Sequence, residues 1–184
     1  MIDAPLLPLI ATLLGCLFSY LGVFTAQRIT QQRERIQYRC TKLERGYLLA
    51  QMLFDGHRSE IGKLAGVDTM TLAQWLAIRK HPGETMNELK MVVWMYAPRL
   101  SATLEKVDTH HQALKKEFWD IDRQVRNRPP VPLAQAQPIA TPALMQKVDD
   151  QLEDLGRATT LLKQELTQSV QRILRTRVGS LNHG

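Results

Sequence analysis

Residues 5–26 read PLLPLIATLLGCLFSYLGVFTA, 22 residues without a charge, and a basic run follows at once. As an α-helix this stretch is roughly 33 Å long at ~1.5 Å per residue, enough to cross a hydrocarbon core of ~30 Å. It predicts a membrane anchor and constrains everything after it. A cleaved signal peptide fits less well. Such a peptide needs a basic leading region and a small residue three before the cut. Here Met1-Ile2-Asp3-Ala4 carries no Lys or Arg, and cleavage after Ala26 would set Phe24 at that position.

Orientation follows from the charges. Arg28, Arg33, Arg35, Arg39, Lys42 and Arg45 come just after the stretch, against Glu34 and Glu44. Basic residues near a span stay on the cytoplasmic side. The expected topology is therefore a plasma (inner) membrane protein with a single pass, its N-terminus outside and its C-terminus in the cytoplasm. The formal net charge of +6 is concentrated in this juxtamembrane cluster. That pattern suits topology and anionic lipid head groups better than nucleic acid. No aromatic platform accompanies the charge. The two cysteines, Cys16 and Cys40, lack metal or CxxC spacing, and the cytosol disfavours a disulfide.

From residue 5 to about 54 nothing must break a helix. Pro8 falls in its first turn, where a missing N–H costs little. One seam with alternating steps of three and four runs through Gly15, Ser19, Gly22, Ala26, Ile29, Arg33, Ile36, Cys40, Leu43, Tyr47, Ala50 and Phe54. This is the 3.5-residue period of a left-handed supercoil. Its first part is built of small residues, which let membrane helices approach closely. The seam predicts self-association, or packing against the chain's own later helices.

Gly56, Gly62 and Gly66 then mark a loosening, and Asp68 can cap a short helix ended by His81-Pro82-Gly83. Thr85 to Glu88 form a capping-box pattern. A long apolar seam follows: Leu89, Val93, Tyr96, Leu100, Leu104, Val107, His111, Leu114, Phe118, Ile121 and Val125. Its spacing slips around Pro98, which removes a helical hydrogen bond. Two helical pieces are expected, meeting near Ala97-Pro98. Residues 129–142, PPVPLAQAQPIATP, read as an extended connector rather than a ligand for a proline-binding domain. Thr141 and Pro142 look like the cap and first residue of a last helix. That helix carries Met145, Val148, Leu152, Leu155, Thr159, Leu162, Leu166 and Ile173 on one face and ends at Gly179.

Candidate chemistry is sparse. His57 and Glu60 are three apart and His110-His111 adjacent, neither with zinc spacing. His111, on the apolar seam, reads as a satisfied core histidine or as a protonation switch. Asp120 and Asp122 flank Ile121 and point to different faces. Trp75, Trp94, Trp119, Met86, Met91 and Met95 read as core residues. Walker, dinucleotide and GxSxG motifs are missing, so no enzyme and no cofactor is expected.

The expectation is an all-α chain: a single N-terminal transmembrane helix continuing into a cytoplasmic helical bundle of coiled-coil character. Its divisions are an anchor over 1–27, a helical domain over 28–128, a linker over 129–142 and a C-terminal amphipathic helix over 143–184. The expected role is a non-catalytic tether that meets the lipid bilayer and either self-associates or docks a helical protein partner. A membrane-perturbing effector of toxin or phage-defence type, acting by assembly of its spans, is the alternative. A nucleic-acid anchor is the third and weakest.

Overall fold

The computed structural model describes residues 6–64, 67, 83–127 and 139–181, with side chains over 12–64, 67, 83–127 and 139–176. Among the described residues the protein is all-helical, with four α-helices: α1 Leu6–Leu64, α2 Gly83–Tyr96, α3 Ser101–Arg126 and α4 Pro142–Leu181. The chain divides into two compact units, Met1–Thr41 and Lys42–Gly184.

In the first unit, helix α1 leaves its apolar side chains exposed. Leu13, Leu14, Leu17, Phe18, Tyr20, Leu21, Val23 and Phe24 are all exposed. Thr25 Oγ1 donates to the carbonyls of Leu21 and Gly22, both at 2.9 Å, and Thr30 Oγ1 to that of Ala26 at 3.0 Å. The Tyr20 and Phe24 rings stack at 6.5 Å, and the Arg28 guanidinium lies 4.8 Å over Phe24. Among the described residues no helix is long and apolar enough to cross a membrane, so the span expected over residues 5–26 lacks support there.

The second unit is a helical bundle around one core. From α1 the buried positions are Leu43, Gly46, Ala50, Leu53, His57, Glu60 and Leu64, alternating by three and four, with Leu49 and Ile61 beside them. The expected seam shares Leu43 and Ala50 with this stripe, and its Phe54 is half-buried against the core. Tyr47 is 40% exposed, held at the rim by Lys163, whose ammonium lies 5.5 Å over its ring. Lys163 also donates to Gln51 Oε1 at 2.6 Å. Gly46 takes the inward place because two helices close over it. A Cβ there would meet Val92 Cγ1 at 3.0 Å and the Leu166 methyls at 3.6 and 3.7 Å. Gly156 of α4 is the counterpart, where a Cβ would lie 3.0 Å from Phe54 Cε2. The pairs 46–166 and 54–156 make α1 and α4 antiparallel.

Nor does α1 loosen at its glycines: it stays helical through Gly56 and Gly62 to Leu64. An isolated helical glycine costs only ~1 kcal/mol, less than the burial of Leu53, Ile61 and Leu64 around it supplies. Gly66 and the short helix expected from Asp68 lie outside the described residues. The capping box is also overturned. Thr85 is the third residue of α2, and Glu88 pairs with Arg45 of α1 instead of reaching back.

The break at Ala97 falls where the seam slips. Ala97 has φ −143° and ψ 56°, outside the helical region, and Pro98–Leu100 form a 3-10 turn. A residue before proline is pushed off the helical basin. Every position of the seam from Leu89 to Val125 is buried or half-buried. Helix α4 opens as expected: Thr141 Oγ1 accepts from the Leu144 N–H at 3.2 Å, with Pro142 as first helical residue. Its expected end at Gly179 is not observed, since the helix runs on to Leu181. Of the connector, residues 129–138 lie outside the described residues.

Candidate functional site

The most unusual chemistry of the second unit is in its core. His57 and Glu60 of α1 meet His111 of α3, with residue exposures of 1%, 4% and 2%. Two helical properties bring them together. Residues three apart share a face of a helix, so His57 and Glu60 both fall on the buried stripe between Leu53 and Leu64. His111 sits on the α3 stripe one turn from Val107 and Leu114, where apolar burial carries the histidine inward.

The geometry fixes how the groups share protons. His57 Nε2 and His111 Nδ1 are 2.9 Å apart, a hydrogen bond. Glu60 Oε2 lies 3.5 Å from His57 Nδ1, and neither that Nδ1 nor Glu60 Oε1 has a hydrogen-bond partner. An ionised carboxylate only accepts. The arrangement with fewest conflicts sets a proton on His57 Nδ1, facing Glu60. His57 Nε2 then accepts from the Nδ1–H of His111. Phe118 closes one side, its ring near-parallel to that of His57 with centroids 6.3 Å apart.

Burial, and then the neighbouring His57, pushes His111 down from an ordinary 6.5 to about 4; Asp108 pulls the other way, and Lys115 and Lys90 add small further lowering. Asp108 is held in turn by Lys90 Nζ at 2.7 Å. Among the described residues no group of three or more His, Cys, Asp or Glu side chains is arranged to hold a metal ion. The cluster can hold and pass a proton, and it can couple α1 to α3. His110 is only half-buried and takes no part.

The residues singled out by the small-residue seam divide by unit. Gly15, Ser19, Gly22, Ala26 and Ile29 are exposed, while Ile36 and Cys40 are half-buried. A Cβ at Gly15 or Gly22 would meet nothing within 4 Å. Leu43 is instead part of the core, at 1% exposure. Of the basic run, Arg28, Arg33, Arg35 and Arg39 are exposed and Lys42 half-buried. Arg45 is engaged by Glu88, with Nε to Oε1 at 2.9 Å and Nη2 to Oε2 at 3.2 Å. That carboxyl is held below its usual range, first by the Arg45 hydrogen bond.

Three features escaped the sequence reading. Apolar Met91, Trp94, Met95 and Trp119 were expected in the core, but they are 59%, 60%, 67% and 65% exposed. Only Met86 of that set is buried, and Trp75 lies outside the described residues. The close approaches at Gly46 and Gly156 left no hydropathy signal. The pairing of His57 with His111 spans 54 positions. Its one trace was that His57 and Glu60 continue the three-four spacing from Leu43. In comparisons with known proteins, no family model, no curated protein and no solved structure matches the chain.

Proposed function

We propose that this protein is a non-catalytic membrane tether. Its N-terminal apolar segment seats in a lipid bilayer, N-terminus outside, and its second unit is a cytoplasmic helical module that self-associates or docks a helical partner. One observation carries the reading: eight large apolar side chains from Leu13 to Phe24 are exposed on a helix. In water such a surface is unfavourable at ~25 cal/mol per Å², and a helix apolar over most of its circumference is a helix meant for an apolar solvent.

Two details agree with it. Tyr20, Phe24 and Arg28 form a ladder at steps of four, where the uncharged stretch gives way to charge. Aromatic rings and a snorkelling arginine suit the head-group level. Finally, Gly15, Ser19, Gly22 and Ala26 make one narrow small stripe beside the bulky face, with open space at both glycines, which suits helix–helix contact in lipid. The basic residues Arg28 to Arg39 are then at the height of anionic head groups.

The test is fractionation with a topology reporter. Isolated membranes should keep the chain through alkaline and high-salt washes and release it to detergent. A reporter active only in the cytoplasm, fused after Gly184, should be active. Recovery of the unshortened chain in the soluble fraction would overturn the tether, and an inactive cytoplasmic reporter would overturn its orientation.

A further inference from the structure

The core of the second unit holds three titratable groups where an apolar core would pack as well, and two of them come from different helices. We propose that the His57–His111 pair is a proton-operated latch between α1 and α3, closed while one proton occupies the Nε2···Nδ1 contact and opened by acidification.

The proton count makes it a latch. With both imidazoles neutral the 2.9 Å contact has one donor and one acceptor. One added proton can be absorbed: His57, charged, can donate to both Glu60 and His111 once His111 moves its own proton to Nε2. Glu60, 3.5 Å away, offsets that charge. A second added proton leaves two N–H groups facing each other at 2.9 Å. The bond is then lost, and two cations share a site whose ring centroids are 5.1 Å apart. The rings are almost wholly buried and Phe118 covers His57. Relief therefore requires α1 and α3 to separate and admit water.

The groups acting on His111 come from three helices. His57 of α1, with Glu60 behind it, faces the Nδ1. Asp108 and Lys115 flank it on α3, and Lys90 of α2 reaches Asp108. Asp108, the carboxylate that pulls His111 toward its charged form, is therefore already engaged by a lysine.

The sign follows from linkage. His111 takes up its proton at about 4 in the folded chain and near 6.5 unfolded. The unfolded or opened form binds more protons between those values, so closure weakens as pH falls through that window. From pH 7.5 to 5 the opening constant should rise on the order of 30-fold from His111 alone. The interval from pH 7.5 to 5 lies above the ordinary values of 4.5 for Glu88 and 3.8 for Asp108, both of which are lowered further in the fold, so these two groups add little to it.

The experiment is hydrogen exchange on the full-length chain in detergent micelles at pH 7.5 and 5, corrected for intrinsic rates and read on amides around His57 and His111. Wild type should open roughly 30-fold more at pH 5. His111→Asn, which keeps a donor near Nδ1 but cannot titrate, should cut the ratio to below ~3-fold, and His110→Asn should leave it unchanged. An unchanged ratio in His111→Asn, or no pH response in wild type, overturns the latch. If His111→Asn does not fold, imidazole nitrogen NMR of wild type decides. Separate depressed titration of His111, with its Nδ1 protonated at neutral pH, supports the latch; ordinary titration of both rings refutes it.

Discussion

Substituting alanine at three glycines separates backbone propensity from packing in this bundle. Gly46, Gly156 and Gly62 are all helical, so each gains up to ~1 kcal/mol of helix propensity as alanine. They differ in what the new methyl meets. At Gly62 nothing lies within 4 Å, and Gly62→Ala should stabilise by ~0.5 kcal/mol, less than the full value because it is in the last turn. At Gly156 the methyl arrives 3.0 Å from one edge of the Phe54 ring. Phe54 is half-buried and can swing outward, so the two effects should cancel to within ~0.5 kcal/mol. At Gly46 the methyl is caught between Val92 at 3.0 Å and Leu166 at 3.6 Å, on two different helices. Overpacking of a closed site costs ~1–3 kcal/mol. Net destabilisation of ~1 kcal/mol is expected, a spread of about 1.5 kcal/mol from Gly62→Ala. That is roughly tenfold in the unfolding constant. Urea unfolding of the full chain in micelles, followed by far-UV circular dichroism, measures all three. Equal shifts at the three positions would mean that the close approach over Gly46 does not exist.

Thr141→Ala should destabilise by ~1 kcal/mol in the same unfolding assay through loss of the Leu144 cap, and Thr141→Asn should recover most of it. Pro98→Ala should cost ~0.4–1 kcal/mol, because the proline restricts the unfolded chain at a site whose native turn already suits it; a gain in stability would mean the turn is strained. Burial opposes ionisation of Asp108, but hydrogen bonds from Lys90 and Gln112 outweigh it and hold its pKa below the usual value. Stability from this group is therefore present above its ordinary pKa near 3.8 and is lost as pH falls through the lower folded value. Lys90→Met should shrink the acid limb of stability below pH ~4, and because Lys90 also holds His111 down and engages Asp108, it should shrink the pH 5–7 limb by a smaller amount. Gly15→Leu with Ser19→Leu should weaken self-association measured by cross-linking in membranes, since bulk on the small stripe holds helices apart.

The parts of the fold that were legible in sequence are those where apolar side chains alone decide burial. The α3 stripe from Leu104 to Val125 and the α4 stripe from Val148 to Leu166 repeat with helical period, and their burial follows. Pro98 and the Thr141-Pro142 pair act through the backbone of their own neighbours, so their effects needed no partner. The core face of α1 was misread because three of its inward positions are Gly46, His57 and Glu60, which no hydropathy pattern scores as core. Gly46 is inside because Val92 and Leu166 come close, and His57 is inside because His111 meets it; both facts reside in distant residues. In helix α2 the seam through Leu89 and Val93 was legible, but its 14 residues carry apolar side chains on a second face as well, and composition alone did not show that Met91, Trp94 and Met95 stay outside.

Local rules lost to tertiary partners in one consistent way. Glu88 had a helix start within reach and went to Arg45, and Gly56 and Gly62 had licence to end α1 and did not. A surface hydrogen bond to a helix end is worth about 1 kcal/mol and a helical glycine costs about as much, whereas each fully buried leucine contributes ~1.5–3 kcal/mol. Wherever such terms compete, the core decides. The same ranking makes the histidine pair informative. An apolar residue at position 57 or 111 would satisfy the stripe without needing a proton. The chain instead keeps two imidazoles and a carboxylate there, at almost no exposure and with two polar atoms unpartnered. Packing alone does not account for that arrangement; a proton-dependent contact between α1 and α3 does.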